Sequence, residues 1–297
     1  MSEPQRVTVT APAKINLFLH AGEKRADGYH DLQSMVVFAD AGDELMIEKA
    51  EKLSLEIDGP FASDLARLPD NLILKAARAL ASELGQIPAA RVRLTKNLPV
   101  ASGLGGGSAD AAATLRGLMT LWNAKLPDAA LTELALSLGS DVPACLLSAP
   151  LWMEGRGEKL TPLTAVPALP MILINPGVSV STPDVFAKLE ARRGVQFASL
   201  PRAFDDAPAL LKFLAGTTND LEAPARQIAG DIRTVLIALE KEGALLARMS
   251  GSGATCFGIF ENAARAETAA AKLEGHSGWW VRAVHVAPAN IGDPKAA

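Results

Sequence analysis

Apolar residues recur along the chain with two periods, and each period predicts a different kind of element. Val7 and Val9 alternate with polar neighbours, and so do Val92 and Leu94 between Arg91, Arg93 and Thr95. A two-residue repeat of this kind marks half-buried strands. The alternation is sharpest from Lys14 to His20. There Ile15, Leu17 and Leu19 are expected to face a core, with Lys14, Asn16, Phe18 and His20 on the other side. Leu53, Leu55 and Ile57 read as another strand. Elsewhere the period lengthens to that of a helix. Asp70 can cap a segment with the apolar stripe Ile73, Ala77, Leu80 and Leu84, ended by Gly85. Asp128 can cap a second, through Leu131, Leu134, Ala135 and Leu138, with Gly139 as its stop. Between them, a helix starting near Ser108 buries Leu115, Leu118, Met119 and Trp122.

Prolines at 162, 167 and 170 interrupt the pattern, which restarts with the apolar strand Met171–Ile174. A division into residues 1–165 and 166–297 is expected there. The second half predicts a helix around Ile228–Leu239, a strand at Ala254–Phe260, a helix at Ala263–Leu273 and a final strand at Trp280–Val286. Residues 192–220 are poorly periodic and read as loops with a short helix. Interspersed strands and helices of this kind indicate an α+β fold, with helices on one face of an antiparallel sheet.

Composition narrows the function. The 297 residues are 49% apolar and 21% charged, which excludes a disordered chain. A net charge of −4 offers no global basic surface for nucleic acid or an anionic membrane, so any phosphate site must be local. Cys145 and Cys256 lie far apart with no ligand spacing around them, as suits buried small side chains rather than a disulfide or a zinc site. The N-terminal segment lacks an apolar core for a secretory signal, and prolines break the one long uncharged stretch, 160–183. The expectation is a cytoplasmic protein, monomer or homodimer, whose partner is a small molecule.

The candidate chemistry starts at a glycine-rich segment between a predicted strand and a predicted helix. It comprises Pro99, Val100, Ala101, Ser102, Gly103, Leu104, Gly105, Gly106, Gly107, Ser108 and Ala109, and carries no charge. Glycines let a backbone approach an anion closely, and a helix start offers free N–H groups and a partial positive end. Together they make a phosphate cradle that needs no cationic side chain. A Walker loop is excluded because Gly107 is followed by Ser108-Ala109 rather than Lys-Ser/Thr. A dinucleotide fingerprint is excluded because Ser108 stands where its last glycine belongs. A bare strand–helix turn remains open, although each glycine carries an entropic cost of up to about 1 kcal/mol.

The segment Pro-x-x-x-Gly-Leu-Gly-Gly-Gly-Ser resembles the nucleotide loop of the GHMP small-molecule kinases. Two more segments match in the same order: Ala11-Pro12-Ala13-Lys14-Ile15-Asn16-Leu17 and Met249-Ser250-Gly251-Ser252-Gly253-Ala254. Within that superfamily, the segments 25–32 (Arg-Ala-Asp-Gly-Tyr-His-Asp-Leu) and 139–143 (Gly-Ser-Asp-Val-Pro) are similar to a branch whose alcohol substrate carries a cytidine diphosphate. The resemblance covers about residues 7 to 286. It implies a ribosomal-protein-S5-domain-2-like α/β domain followed by a ferredoxin-like α+β domain, with ATP as phosphoryl donor and Mg²⁺ as its companion.

On its own, Asp141 reads as a helix cap and Lys14 as a solvated lysine. The resemblance makes Asp141 the general base for the attacking hydroxyl and Lys14 its catalytic partner, orienting that hydroxyl and offsetting charge on the moving phosphoryl group. It assigns Asn16 to a substrate hydrogen bond and Tyr29 and His30 to the cytidine, with Thr182 and Phe186 facing the same nucleotide from the second half. The Mg²⁺ ligands stay open. Ser108 can cap its helix or reach a phosphate or the metal, Asp110 stands where asparagine or aspartate would serve, and Lys96 is either near the nucleotide or on the surface. Another alcohol kinase of the superfamily, or a nucleotide-binding protein without chemistry, remains an alternative.

Overall fold

The computed structural model describes residues 5–65, 71–189, 200–287 and 292–296. Two long strands, β1 (Arg6–Lys24) and β2 (His30–Lys49), form an antiparallel hairpin through the Asp27-Gly28 turn, where Gly28 adopts φ 86°. There follow β3 (Ser54–Asp58), α1 (Ala62–Leu65), α2 (Leu72–Glu83), β4 (Ala90–Thr95), α3 (Gly106–Leu121), α4 (Asp128–Leu138) and α5 (Val142–Leu147). The hairpin β5 (Leu151–Gly155) and β6 (Lys159–Pro162) completes this part. One end of β2 pairs with β4, which takes β3 in parallel, and the other end pairs with β5. The second part runs β7 (Pro170–Asn175), α6 (Thr182–Ala187), α7 (Ala207–Ala215), α8 (Glu222–Ile228), α9 (Asp231–Lys241), β8 (Leu246–Met249), β9 (Cys256–Ile259), α10 (Ala263–Leu273) and β10 (Trp280–His285). Its antiparallel sheet has the order β10-β7-β9-β8, the arrangement of a ferredoxin-like βαββαβ layer. A final short strand, β11 (Lys295–Ala296), returns to pair with β1.

Several expectations shift by local physics. The cap Asp70 lies outside the described residues, and Asn71 caps α2 by accepting from the Ile73 amide at 2.9 Å. Asp128 is the first residue of α4, which follows Pro127 rather than an aspartate cap. Helix α3 starts two residues before Ser108, because Gly105 supplies a left-handed entry with φ 63°. The helix expected around Ile228–Leu239 is α9, which starts only at Asp231, because the extended Ala229 ends a separate helix, α8, at Ile228.

The alternation in β1 misled most. Phe18 is not opposite the core but in it, with Ile15 and Leu17, because the β1–β2 register shifts between Asn16 and Phe18. Both faces of this strand are covered. Val7 and Val9 join the core under α2 and α3, while Ile15, Leu17 and Phe18 pack with Met171, Leu173 and Phe257 of the second part. Lys14 and Asn16 are consequently buried too, at 3% and 1% exposure.

Helix α3 crosses β1 and β2 at Gly117, where a Cβ would meet Ile47 Cδ1 at 2.5 Å and Val9 Cγ2 at 2.9 Å. The close crossing holds the N-terminal end of α3 over the strand that carries Lys14. Replacing Gly117 by valine should force the helix off the sheet, at about 1–3 kcal/mol, the usual range for overpacking. Urea unfolding checks this: the midpoint should fall with the slope unchanged.

Candidate active site

One large cavity, of about 1290 Å³, lies where the two parts meet, bounded by the glycine segment, β1, the β1–β2 turn, the start of α5 and α6. Between β4 and α3 the chain has two left-handed glycines, each with a distinct reason. Gly103 (φ 78°) touches the C-terminal turn, where a Cβ would lie 2.5 Å from the Ser250 carbonyl. Gly105 (φ 63°) turns the chain into α3 against the Lys14 side chain, 3.2 Å from where its Cβ would be. Helix α3 then begins without any side-chain cap, whereas α2, α7 and α10 are capped by Asn71, Asp206 and Asn262. Its first amides are therefore free at the cavity wall, the electrostatic condition for an anion site. Ala101, Ser102, Gly103, Gly105, Gly106, Gly107 and Ser108 line the cavity. Leu104 and Ala109 are buried in the core, and Pro99 and Val100 do not reach the cavity wall.

Facing this cradle is a lysine–carboxylate pair. Lys14 Nζ lies 3.0 Å from Asp141 Oδ2 and donates to Asn16 Oδ1 at 3.2 Å. Asp141 occupies the cap position of α5 but its side chain makes no capping bond, so the carboxylate is spent on Lys14 instead. Asn16 Nδ2 donates to Ser34 Oγ at 2.7 Å, which fixes the amide. Ser250 Oγ accepts from the Asn16 amide and donates to the Gly103 carbonyl, both at 3.1 Å, tying strand, loop and second part together.

At the other end of the cavity the His30 ring stacks on Phe186 with centroids 5.3 Å apart. His30 Nδ1 donates to the Gly22 carbonyl at 2.9 Å, which leaves Nε2 as the free edge. Tyr29 is half exposed, with the Arg156 guanidinium 5.5 Å over its ring. Thr182 shares a 2.7 Å hydrogen bond with Ser252 across the cavity mouth.

Two charged groups near the loop and the cavity carry contacts that the sequence reading did not foresee. Lys96 is neither on the surface nor at the cavity. It is 2% exposed beneath the loop, with Nζ 2.5 Å from Asp43 and 2.7 Å from Asp110. Asp43 also accepts from the amides of Asn97 and Leu98, at the very start of the glycine segment. Burial alone would lower the Lys96 ammonium, yet the charges of Asp110 and Asp43 outweigh it and hold it above its usual value. The second group is Arg156, on the turn between β5 and β6.

Uncapped helix amides facing a lysine–carboxylate pair across one large cavity are what an enzyme of phosphoryl transfer to a small molecule requires. The comparisons agree. The GHMP kinases N terminal domain matches residues 71–149 and the GHMP kinases C terminal domain residues 202–277. A 4-diphosphocytidyl-2-C-methyl-D-erythritol kinase of Ruegeria pomeroyi is 50% identical over 274 residues, covering 91% of this chain and 95% of its own length. One from Paracoccus denitrificans is 51% identical over 280 residues, covering 94% and 96%. A crystal structure of a 4-(cytidine 5'-diphospho)-2C-methyl-D-erythritol kinase superposes with a TM-score of 0.77 at 33% identity, over 94% of this chain and 99% of the other. The chain belongs to the GHMP kinase family, whose members are ATP-dependent small-molecule kinases. Within that family, these full-length relatives are the 4-diphosphocytidyl-2-C-methyl-D-erythritol kinases.

The buried trio makes a pH prediction. Burial, opposed by Lys96 and aided by the Asp43 charge, pushes the Asp110 carboxyl up to about 7 from an ordinary 3.8. The folded chain then holds a proton that the unfolded chain has released, so stability should fall as pH rises through the window between those two values. Asp110→Asn removes the titration while keeping the shape of the protonated acid. In metal-free, nucleotide-free buffer, the urea midpoint of the parent should drop between about pH 4 and about pH 7 more steeply than that of the variant.

Proposed function

We propose that the chain transfers the γ-phosphoryl group of ATP to the 2-hydroxyl of 4-diphosphocytidyl-2-C-methyl-D-erythritol, giving the 2-phosphate and ADP, in the methylerythritol phosphate route to isoprenoid precursors. The observation that carries the reading is the Lys14–Asp141 contact of 3.0 Å in the same cavity as the uncapped start of α3 and the His30–Phe186 stack. Donor, acceptor hydroxyl and recognition group each have a wall of their own.

In this reading the polyphosphate lies along the part of the loop that reaches the cavity, residues 101–108, held by main-chain amides. Asp141 accepts the proton of the attacking hydroxyl late in the transfer, which suits a loose transition state needing little nucleophile activation. Lys14 orients that hydroxyl and offsets the charge spread over the moving phosphoryl oxygens. Asn16 fixes the Lys14 ammonium through Oδ1 and keeps one N–H for the substrate. The cytosine sits among Tyr29, His30 and Phe186, where flat rings take the base and His30 Nε2 meets its edge. Thr182 closes the same end from the second part. The division at 165/166 belongs to this reading, with the cleft between the two parts as the active site.

Among the described residues no three or more His, Cys, Asp and Glu side chains gather into a metal cage. Mg²⁺ commonly takes one or two protein oxygens with substrate phosphates and water, and the Ser108 hydroxyl and Asp141 carboxylate at the cavity wall fit that sparse donor set. When bound, the ion would neutralise part of the phosphate charge.

Asp141→Asn should lower kcat by about 10²–10⁴-fold, the usual worth of a general base, with the affinity for ATP in metal-free buffer within about twofold of the parent. Phosphorus NMR of the parent with ATP, Mg²⁺ and the cytidyl substrate should show a new monophosphate ester. Release of ADP without that ester, or an Asn variant with parental turnover, would overturn the assignment.

A further inference from the structure

The turn between β5 and β6 carries a cation that the reading above leaves unused. Arg156 lines the cavity, and its guanidinium covers one face of Tyr29 at 5.5 Å. The turn is rigidly made. Gly155 is left-handed at φ 71°, the Arg156 amide donates to Glu158 Oε2 at 2.7 Å, and the Gly157 amide donates to the Glu154 carbonyl at 3.2 Å. Glu158 is therefore committed to the Arg156 main chain, while Asp27 and Asp31 pair with Arg25. Among the described residues no carboxylate forms an ion pair with the Arg156 guanidinium. Lys14, by contrast, is paired with Asp141.

Position adds the second half of the argument. A Cβ on Gly157 would lie 3.1 Å from the Ser140 carbonyl, so the turn abuts the residue before Asp141. Its neighbour Arg156 reaches the other way, to Tyr29. The Arg156 side chain thus runs from a turn beside the reacting end of the cavity to the Tyr29 ring at its aromatic end. In any ligand joining a cytidine to an alcohol through a diphosphate, the diphosphate lies between those same two ends. Stacking on an aromatic face leaves the guanidinium edge free, and that planar fork matches phosphate oxygens in pairs.

We infer that Arg156 is the diphosphate-binding residue of the alcohol substrate, held in place by its stack on Tyr29. This rests on the cytidyl reading of the cavity given above. It separates two tasks on one wall: rings select the base, and the arginine holds the charged bridge that sets the distance to Asp141.

Calorimetric titration of the full chain tests it, with the cradle filled by a non-hydrolysable ATP analogue and CDP or cytidine as probe. The parent should bind CDP more tightly than cytidine. Arg156→Gln should weaken CDP by about tenfold or more, the usual worth of a charge-assisted contact, while cytidine stays within about twofold. Arg156→Lys keeps the charge and loses the fork, and should fall between the two. In turnover assays the glutamine variant should raise KM for the cytidyl substrate and leave kcat and the KM for ATP near parental values. Equal weakening of CDP and cytidine would show that Arg156 only props up Tyr29, and no change in either would remove it from the site. Both outcomes overturn the inference while the cytidyl reading stands. A parent chain that binds neither probe would instead remove the cytidyl reading, and the inference with it.

Discussion

Burying one ammonium and two carboxylates costs several kcal/mol per ion before any attraction is counted. The chain meets that cost directly beneath its glycine loop, where Lys96 bridges Asp43 and Asp110. The return is positional. Asp43 sits on β2 and holds the amides that open the loop, Asp110 sits in α3 just past its end, and Lys96 closes β4. Three elements are pinned to one point, and the loop is stretched between them. Gly106 passes so close that a Cβ there would lie 3.1 Å from the ammonium. The amides facing the cavity are thus rigid without needing any charge of their own.

Much of the fold was legible because its elements are amphipathic in the simple sense. The helix Ala263–Leu273 and the strands around Val92 and Met171 fall where their repeats put them. Reading failed where an element is buried on more than one side. Strand β1 contributes to three cores, so alternation between its faces carries little information, and a register shift near Phe18 scrambles what is left. Strand β8 was hidden for a related reason. Its Arg248 looks like a surface residue but is 7% exposed, and donates to the carbonyls of Leu17, Leu214 and Thr217.

The site divides along similar lines. Ordered motifs located the loop, Lys14, Asp141 and the Tyr29-His30 pair, and these share one cavity. Asp43, Lys96 and Arg156 belong to no motif. Asp43 and Lys96 are separated by 53 positions, and only the pairing of β2 with β4 brings their backbones together. A lone charged residue in a strand or turn has no signal in sequence until its partner is known. Asp141 shows the converse: its local setting is that of a helix cap, and only the distant Lys14 explains why the carboxylate turns away from the helix.

Ser250 bridges strand β1 and the loop through one hydroxyl, and the loop is also gripped by Thr255, whose amide donates to the Ser102 carbonyl at 3.0 Å. The two halves of the molecule are therefore sewn together at the glycine segment. A clamshell opening there would tear the seam and deform the cradle with it. Shifts of the second half would therefore reach the glycine segment directly, through Ser250 and Thr255.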